Sequence, residues 1–456
     1  MKKFIQTLRN IYKIEDLRKR ILYTLGIILI YRFGAYVVLP GIDPTMLASL
    51  QNQSKGGLLG LLNMFSGGAF ANASIFALGI MPYISASIVV QLLGMAIPYF
   101  QKLQKEGESG RKKINQITRY LTVMILIFQS PAYIANLVSQ LPAEAVYPFS
   151  PALLHHSVFS FFGISSIIIL TAGSLFVMWL GERITDKGIG NGISIIIMIG
   201  IIARLPSALL GEFFSRLEQK GGGLVAFVVE VAFLVFVILV TILLVQGTRR
   251  IPVQYAKRIV GNKQYGGVRQ YIPLKVNAAG VMPIIFAQAI MFLPLTLAGF
   301  SKSEALTGFA RVFTDFNSWP YNLSFFVLII LFTYFYTAIT VNPNQMAEDM
   351  KKNGGFIPGV KPGKRTAEFI DNVMSRIVLP GSIFLGFVAI MPAFVRLFGV
   401  NTQFAQFYGG TSLLILVGVV LDTLQQIESH LLMRHYDGLT KSGRIKGRSG
   451  ASMTGS

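Results

Sequence analysis

The sequence predicts an all-α polytopic membrane protein with ten transmembrane helices around a short plug-like helix. Three observations support this prediction. First, 53% of the 456 residues are hydrophobic and only 13% are charged, and apolar runs of about 20 residues, the length that crosses about 30 Å of hydrocarbon, recur along the chain. Second, basic residues are concentrated in alternate loops. Third, one apolar run before the second span is too short to cross.

Hydropathy gives ten spans in chain order. They cover residues 21–39, 74–97, 118–139, 157–181, 191–211, 223–246, 276–298, 322–341, 375–399 and 409–432. Most of the 41 Lys and Arg residues fall in the N-terminus, the tail and the loops after even-numbered spans. The other loops hold only Lys55, Arg216, Lys220, Lys302 and Arg311. The positive-inside rule therefore predicts a multi-pass protein with both termini in the cytoplasm.

Residues outside the spans give little indication of soluble chemistry. Residues 1–20 form a Lys/Arg-rich amphipathic segment without signal-peptide features, and residues 433–456 form a cytoplasmic tail. The chain has no cysteine, which excludes disulfides and thiolate metal sites. We interpret His155 and His156 as an exposed loop pair rather than metal ligands. The net charge of +21 fits the positive-inside rule, anionic lipid, or a polyanionic partner such as ribosomal RNA.

The segment before the second span predicts a plug, at residues 57–73. The apolar run 56–65 is too short to span, and Ser66, Gly67 and Gly68 interrupt it before the next full-length run. Irregular backbone at membrane depth is tolerated only inside protein or a water-filled cavity. The central plug residues are Leu61, Leu62, Asn63, Met64, Phe65, Ser66, Gly67 and Gly68.

The second span carries a stripe on one helical face, which runs from Ile80 and Ile84 to Ser87 and Gln91. The stripe fits a pore or seam, and it fits ordinary helix packing equally well. Charges inside the spans are sparse: Arg32 snorkels or pairs, and nothing in the sequence pairs Glu230 or Asp422.

Two long cytoplasmic loops stand out. Residues 247–275 mix basic, aromatic and β-branched residues with glycine turn signals, which predicts an exposed hairpin-like projection. Residues 342–372 predict a short helix followed by a Gly/Pro-rich tip. We favour docking surfaces over lipid-contacting loops, because aromatic and apolar residues alternate with the charges.

No sequence signature of an enzyme or a cofactor site is present. The nearest approach to a P-loop, at residues 359–366, has the wrong spacing and lacks Ser or Thr directly after the lysine. Nucleophile-elbow, HExxH and dinucleotide-binding patterns are also missing. We therefore predict no catalytic residues, no cofactor and no metal, and a protein driven by a partner or a gradient.

Ten stretches together resemble the SecY family, the central subunits of the bacterial protein-conducting channel, over nearly the whole chain and in the same order. They are PGIDP (40–44), NMFSGG (63–68), ALGIMPYISASI (77–88), KEGESGR (105–111), MWLGE (178–182), GIGNGISIII (188–197), RRIPVQYA (249–256), PLKVN (273–277), GGFIPGVKP (354–362) and GGTSLLI (409–415).

The resemblance implies two inverted five-helix halves, residues 21–211 and 212–432, around a central pore. It implies a ring of branched apolar side chains, which holds back water and ions yet offers a passing chain no specific hydrogen bonds. It also implies a lateral gate between spans two and three and spans seven and eight. The implied ring residues are Ile80, Ile84, Ile197, Ile285 and Ile415, and the implied gate residues are Ser87, Gln91, Gln129 and Gln288.

The same resemblance implies partners and a location. The small membrane subunits SecE and SecG, the SecA motor ATPase, the ribosome with its RNA and proteins, secretory preproteins with signal sequences, and the lipid bilayer would be partners in the bacterial cytoplasmic membrane. Lys361 stands where many relatives have Arg, which removes a bidentate fork. The implied docking residues are Arg249, Arg250, Lys257, Arg258, Lys351, Lys352, Lys361, Lys364 and Arg365.

Two functions remain to be compared. The first is a passive channel that passes unfolded polypeptides across the membrane and releases transmembrane segments sideways. The alternative is a ten-helix secondary transporter for a small solute. A transporter predicts a polar site at mid-membrane, whereas a channel predicts an apolar constriction. The isoleucine positions and the lack of evident charge pairs favour the channel.

Overall fold

The computed structural model describes residues 14–47, 60, 63–141, 161–218, 223–255, 258–260, 263–265, 269–291 and 318–442. In the first half the helices are α1 (Glu15–Gly34), α2 (Met81–Ala96), α3 (Pro98–Lys105), α4 (Glu108–Gln140), α5 (Phe161–Lys187) and α6 (Gly192–Glu218). In the second half they are α7 (Gly223–Gln246), α8 (Met282–Met291), α9 (Trp319–Thr340), α10 (Pro343–Lys352), α11 (Lys364–Leu397), α12 (Thr402–Ala405) and α13 (Gly410–Ser442).

Within the described residues, seven helices are long and apolar enough to cross a membrane: α4, α5, α6, α7, α9, α11 and α13. An eighth is added if α2 and α3 count as one span, although the two are bent by 103° at a short break. The predicted membrane protein is confirmed, and the predicted count of ten spans is not. The N-terminal segment 1–13, His155, His156 and most of the tail lie outside the described residues.

The first two predicted spans have different boundaries in the structure. Helix α1 ends at Gly34 rather than at residue 39, and α2 begins at Met81 rather than at residue 74. Between them, the backbone at Val38 bridges Ser74, with hydrogen bonds from Leu39 N to Ala73 O and from Ile75 N to Val37 O. This long-range pairing satisfies the backbone groups that a helix would otherwise satisfy.

A small sheet departs from the all-α prediction. The strands are β1 (Thr248–Tyr255), β2 (Arg258–Val260), β3 (Lys263–Tyr265), β4 (Arg269–Lys275) and β5 (Gly355–Phe356). Strands β1 and β4 pair antiparallel from Thr248–Lys275 to Gln254–Arg269, which confirms the hairpin-like projection. On its other edge β1 pairs with β5, so both long loops contribute to one three-stranded sheet.

Four clusters of buried apolar side chains organise the packing. The largest, which we call the central cluster, joins α1, the segment before α2, and α5, α6, α7, α11, α12 and α13. A second cluster lies among the 37–47 segment, α4 and α5, and a third joins α7, α8, α9, α11 and α13. The fourth packs the sheet onto α10 and α11. The candidate site lies in the central cluster.

Candidate pore and plug site

The segment before α2 is buried irregular backbone rather than a continuous helix. Residues 63–65 are helical and residues 66–80 are turns, while Leu61 and Leu62 lie outside the described residues. Gly67 and Gly68 adopt φ values of +66° and +94°, which only glycine adopts without strain. The predicted break at Ser66-Gly67-Gly68 is therefore present, whereas the prediction of a plug helix is not confirmed.

Side chains of the segment satisfy its own irregular backbone. The Asn63 side-chain oxygen accepts a hydrogen bond from the Ala71 N–H at 3.0 Å. The Ser66 hydroxyl accepts one from the Phe70 N–H at 3.0 Å. Both residues are almost fully buried, at 0% and 2% exposure. Because a buried unpaired backbone group is costly, these two polar side chains stabilise the non-helical conformation.

The neighbouring helices hold the segment through its carbonyl groups. On α1, the Tyr31 hydroxyl donates to Ser66 O at 3.2 Å, and Arg32 Nη1 donates to Gly67 O at 2.9 Å. On α4, the Tyr133 hydroxyl donates to Phe70 O at 3.0 Å. Arg32 therefore pairs with the segment instead of snorkelling. Three donors from two helices fix the turn that contains the glycines.

A close backbone contact fixes the other side of the same turn. A Cβ atom built on Gly67 would lie 2.9 Å from Gly200 Cα, on α6, and one built on Gly200 would lie 3.1 Å from Gly67 N and from Phe65 O. Real Cβ atoms do not approach backbone as closely as 2.9 Å, so Gly67, which also has a positive φ, requires glycine. At Gly200 a Cβ atom would force its neighbours to shift by a few tenths of an ångström. We call Arg32, Tyr31, Gly67 and Gly200 the latch.

The central cluster brings together four of the five predicted ring residues. Ile80, Ile197 and Ile415 are buried in it, at 3%, 4% and 3% exposure, and Ile84 packs against it. Met64 and Phe65 of the segment before α2 belong to the same cluster. The fifth ring residue, Ile285 on α8, is half-buried, and its neighbour Ile284 packs in the cluster around α9 and α11.

The predicted gate residues are only partly together. On α2, Gln91 Nε2 donates to the Ser87 hydroxyl at 3.3 Å. Gln129, on α4, is exposed. Gln288, on α8, is 4% exposed and lines a narrow cavity with Tyr321, Gln406 and Ser412. The structure therefore places Gln288 beside α9, α13 and the residue that follows α12.

A buried ion triad is the feature that the sequence reasoning missed. Arg216 Nε binds Glu212 Oε1 at 3.0 Å, and Arg216 Nη2 binds Glu230 Oε1 at 2.5 Å. The Glu212 Oε2 atom also accepts from the Asn401 N–H at 2.8 Å. The prediction that Arg216 is a loop residue is wrong, because α6 extends to Glu218, and Glu230 does have a partner. The i,i+4 spacing of Glu212 and Arg216 was the available signal.

The two predicted docking loops form one surface, which we call the basic sheet: β1, β4 and β5 with the adjoining ends of α10 and α11. Ile251 and Val253 of β1 are buried against α10 and α11, so the intervening residues face outward. Lys257 lies outside the described residues, and Arg258 begins β2. The other predicted docking residues are all exposed: Arg249, Arg250, Lys351, Lys352, Lys361, Lys364 and Arg365.

Outside the spans, one loop is stabilised by a local acidic cap. In the matched stretch 40–44, Asp43 accepts hydrogen bonds from the Thr45 hydroxyl at 2.7 Å and from the Thr45 N–H at 2.9 Å. These bonds hold the pKa of Asp43 below its usual value. In the described part of the chain, no group of three His, Asp or Glu side chains could hold a metal ion.

Comparison with known proteins identifies the family of the chain. The SecY family model matches residues 74–424. The protein translocase subunit SecY of Streptomyces coelicolor is 45% identical over 440 residues, which covers 94% of this chain and 98% of that protein.

Two solved structures share the fold. The first, described as the structure of a protein conducting channel, aligns with a TM-score of 0.59 and 18% identity over 94% of this chain and 95% of its own. Sec61 in the canine ribosome-channel complex from the endoplasmic reticulum aligns with a TM-score of 0.54 and 16% identity, over 94% and 95%.

Proposed function

The chain belongs to the SecY family, and from that premise we propose a complete mechanism for it as a protein-conducting channel. The pore is closed by the central cluster and by the segment 57–73 acting as plug, and it opens for an unfolded secretory polypeptide. The channel is passive, and a motor ATPase or a translating ribosome supplies the work. Transmembrane segments leave sideways into the bilayer.

The observation that carries this proposal is the apolar character of the constriction. Ile80, Ile84, Ile197 and Ile415 converge with Met64 and Phe65 in one apolar cluster. The polar side chains beside it, Asn63, Ser66 and Arg32, are bound to the backbone of the segment before α2. An apolar constriction excludes water and ions by dewetting, and it makes no sequence-specific hydrogen bonds with a passing chain. A solute transporter needs the reverse, a polar site in the same place.

The buried ion triad does not provide a transporter site. Arg216 contacts both Glu212 and Glu230, and Glu212 additionally binds the Asn401 backbone. Three of the four carboxylate oxygens are bound in this way at the end of α6 and the start of α7, while Glu230 Oε2 is buried without a hydrogen-bond partner in the described residues. We therefore assign the triad a structural role and keep the channel as the function.

The gate residues retain their predicted role as part of the same proposal. Ser87 and Gln91 form one side of a seam, and Gln288 belongs to the other side. The bond between Gln91 and Ser87 lies within α2, so both side chains can exchange it for bonds across the seam. Such interhelical bonds in membranes are worth only about 0.6–2 kcal/mol each, so an apolar signal sequence can displace them. In this proposal Gln129 lies beside the seam on α4, where it is exposed.

The basic sheet is proposed as the docking surface on the cytoplasmic side of the bacterial inner membrane. Its exposed Arg and Lys side chains suit the phosphates of ribosomal RNA and acidic patches on a motor such as SecA. SecE and SecG complete the proposed assembly. The positive-inside distribution supports this orientation, with both termini in the cytoplasm.

Cysteine cross-linking tests the pore, because the chain has no cysteine of its own. Single cysteines replace Ile84, Ile197 or Ile285, and a stalled secretory chain carries one cysteine. The matched control is Val229→Cys on α7, which is 62% exposed on the outer face. Disulfides at Ile84 and Ile197 but not at Val229 are expected.

The pattern of cross-links decides the assignment. An additional cross-link at Ile285 would show that α8 lines the translocation path and that Ile285 belongs to the pore ring. Efficient translocation without cross-links at Ile84 and Ile197 would show that the polypeptide passes elsewhere, and the pore assignment would fail.

A further inference from the structure

A groove lies outside the pore, at the end of the spans remote from the basic sheet. It runs between the beginning of α9 and the end of α11 and has a volume of about 460 Å³, which is within the range of ligand pockets. Apolar side chains form its walls. They are Leu323, Phe326, Phe387, Ile390, Ala393 and Phe394.

Close packing of the two helices defines the floor of the groove. Gly386 on α11 leaves room for the Phe326 ring of α9, since a Cβ atom there would lie 2.5 Å from that ring. Phe326 and Phe387 meet edge to face, with ring centroids 5.5 Å apart. Phe387 and Phe394 nevertheless remain 54% and 43% exposed. The groove is therefore lined by tightly packed apolar side chains and is open on its outer side.

One end of the groove is polar and cationic. Arg396, in the last turn of α11, lines it, as does Trp319, the first residue of α9. Tryptophan is typical of the membrane–water interface, so this end lies at headgroup level. A guanidinium group there can bind phosphate oxygens with two parallel hydrogen bonds.

We propose that this groove binds an anionic phospholipid, with one acyl chain along the apolar walls and the phosphate on Arg396. Charge complementarity selects the occupant. A headgroup with net negative charge complements the guanidinium, whereas a choline headgroup brings a second cation beside it. The ligand belongs to the leaflet remote from the basic sheet.

The two tryptophans of the chain, Trp179 and Trp319, provide the test. The Trp179→Phe protein keeps Trp319 as its only tryptophan, beside the groove. This protein is reconstituted in phosphatidylcholine that contains a small fraction of phosphatidylglycerol, with bromine on the chains of one lipid or of the other. Brominated phosphatidylglycerol is expected to quench Trp319 about fivefold more per molecule, the preference expected for one basic residue near an anionic headgroup.

Two variants test the contact with the lipid headgroup and the contact with the acyl chain separately. Arg396→Gln should abolish the preference, and Ala393→Phe, which fills the groove but keeps the cation, should reduce quenching by both lipids. The matched control is the Trp319→Phe protein, in which Trp179 on α5 should respond equally with and without Arg396. An unchanged preference in Arg396→Gln would overturn the proposal, as would equal quenching by both lipids or no quenching of Trp319.

Discussion

Arg32 and Arg216, two arginines on the long helices, are bound in opposite ways. Arg216 is 8% exposed and binds two carboxylates from α6 and α7. Arg32, which is half-buried, binds the Gly67 carbonyl and the Tyr36 hydroxyl. A charge held by opposite charges must stay paired, whereas a charge held by a carbonyl can exchange that bond for water. Arg216 is suited to permanent structure and Arg32 to a contact that can open.

Removing the Arg216 charge should have the largest effect. Arg216→Met leaves two carboxylates buried side by side, and breaking a buried pair costs about 3–5 kcal/mol of folding free energy. We expect a much lower midpoint of denaturant unfolding in detergent micelles, with no increase in ion leak through the protein that remains folded.

The triple variant with Glu212→Gln, Arg216→Met and Glu230→Gln serves as the control. It removes all three charges, so much of the lost stability should return. An unfolding midpoint of Arg216→Met close to that of the unsubstituted chain would mean that the triad contributes no net stability.

The second largest effect is expected when the close backbone contact between Gly67 and Gly200 is disturbed. Gly200→Ala places a methyl group 3.1 Å from the plug backbone, and such overpacking costs about 1–3 kcal/mol. If the segment before α2 acts as the proposed plug, its short turns should shift more readily than the continuous helix α6, so we expect faster chloride efflux from proteoliposomes rather than unfolding. The matched control on the same helix is Gly211→Ala, whose added methyl meets no atom within 4 Å. Equal efflux from the two variants would contradict the latch.

Loss of the Arg32 charge comes third. Arg32→Gln weakens a hydrogen bond to Gly67 O, and bonds with a charged partner are worth about 1.5–3 kcal/mol. The open population should rise by about tenfold or more, measured as ion efflux, with little change in unfolding midpoint. Lys19→Gln on the same helix, where Lys19 forms an exposed pair with Glu15, provides the control. If Arg32→Gln lowered the unfolding midpoint as much as Arg216→Met does, Arg32 would have the same structural role as Arg216 and the distinction between them would be wrong.

The smallest expected effect is that of Tyr31→Phe. This change removes only the hydroxyl that donates to Ser66 O, a neutral bond worth about 0.5–1.5 kcal/mol. Efflux should rise by about twofold to tenfold. In the double variant with Tyr31→Phe and Arg32→Gln, the change in the free energy of opening should differ from the sum of the two single changes. Both side chains donate to adjacent carbonyls of one turn, so their effects are coupled. Simple additivity would indicate two independent contacts.

The sequence predicted the features that depend on local composition. Apolar length located the seven long apolar helices of the described residues, and Ser66-Gly67-Gly68 marked the break before α2, where Gly67 and Gly68 adopt positive φ. The β-branched residues of 247–275 predicted the hairpin. For the ring, the resemblance supplied residues that helical spacing alone could not separate from ordinary packing.

The features that the sequence did not predict depend on distant partners. The start of α2 at Met81 follows from the bridge between Val38 and Ser74, and no local signal announces that bridge. The triad required Glu230 to meet Arg216, and Asn401 to meet Glu212, across separate elements. The pairing of β1 with β5 joins segments about a hundred residues apart, and β5 is too short to show a periodic pattern.

The β1–β5 pairing has a mechanical consequence. The hydrogen bonds between Gln254–Tyr255 and Gly355–Phe356 tie the linker after α7 to the linker between α9 and α11. A force applied to either linker is therefore shared by both, and neither can be pulled away without breaking the ladder. The sheet therefore couples the two linkers mechanically. A load on one exposed tip is transmitted to α7, α8 and α11 together.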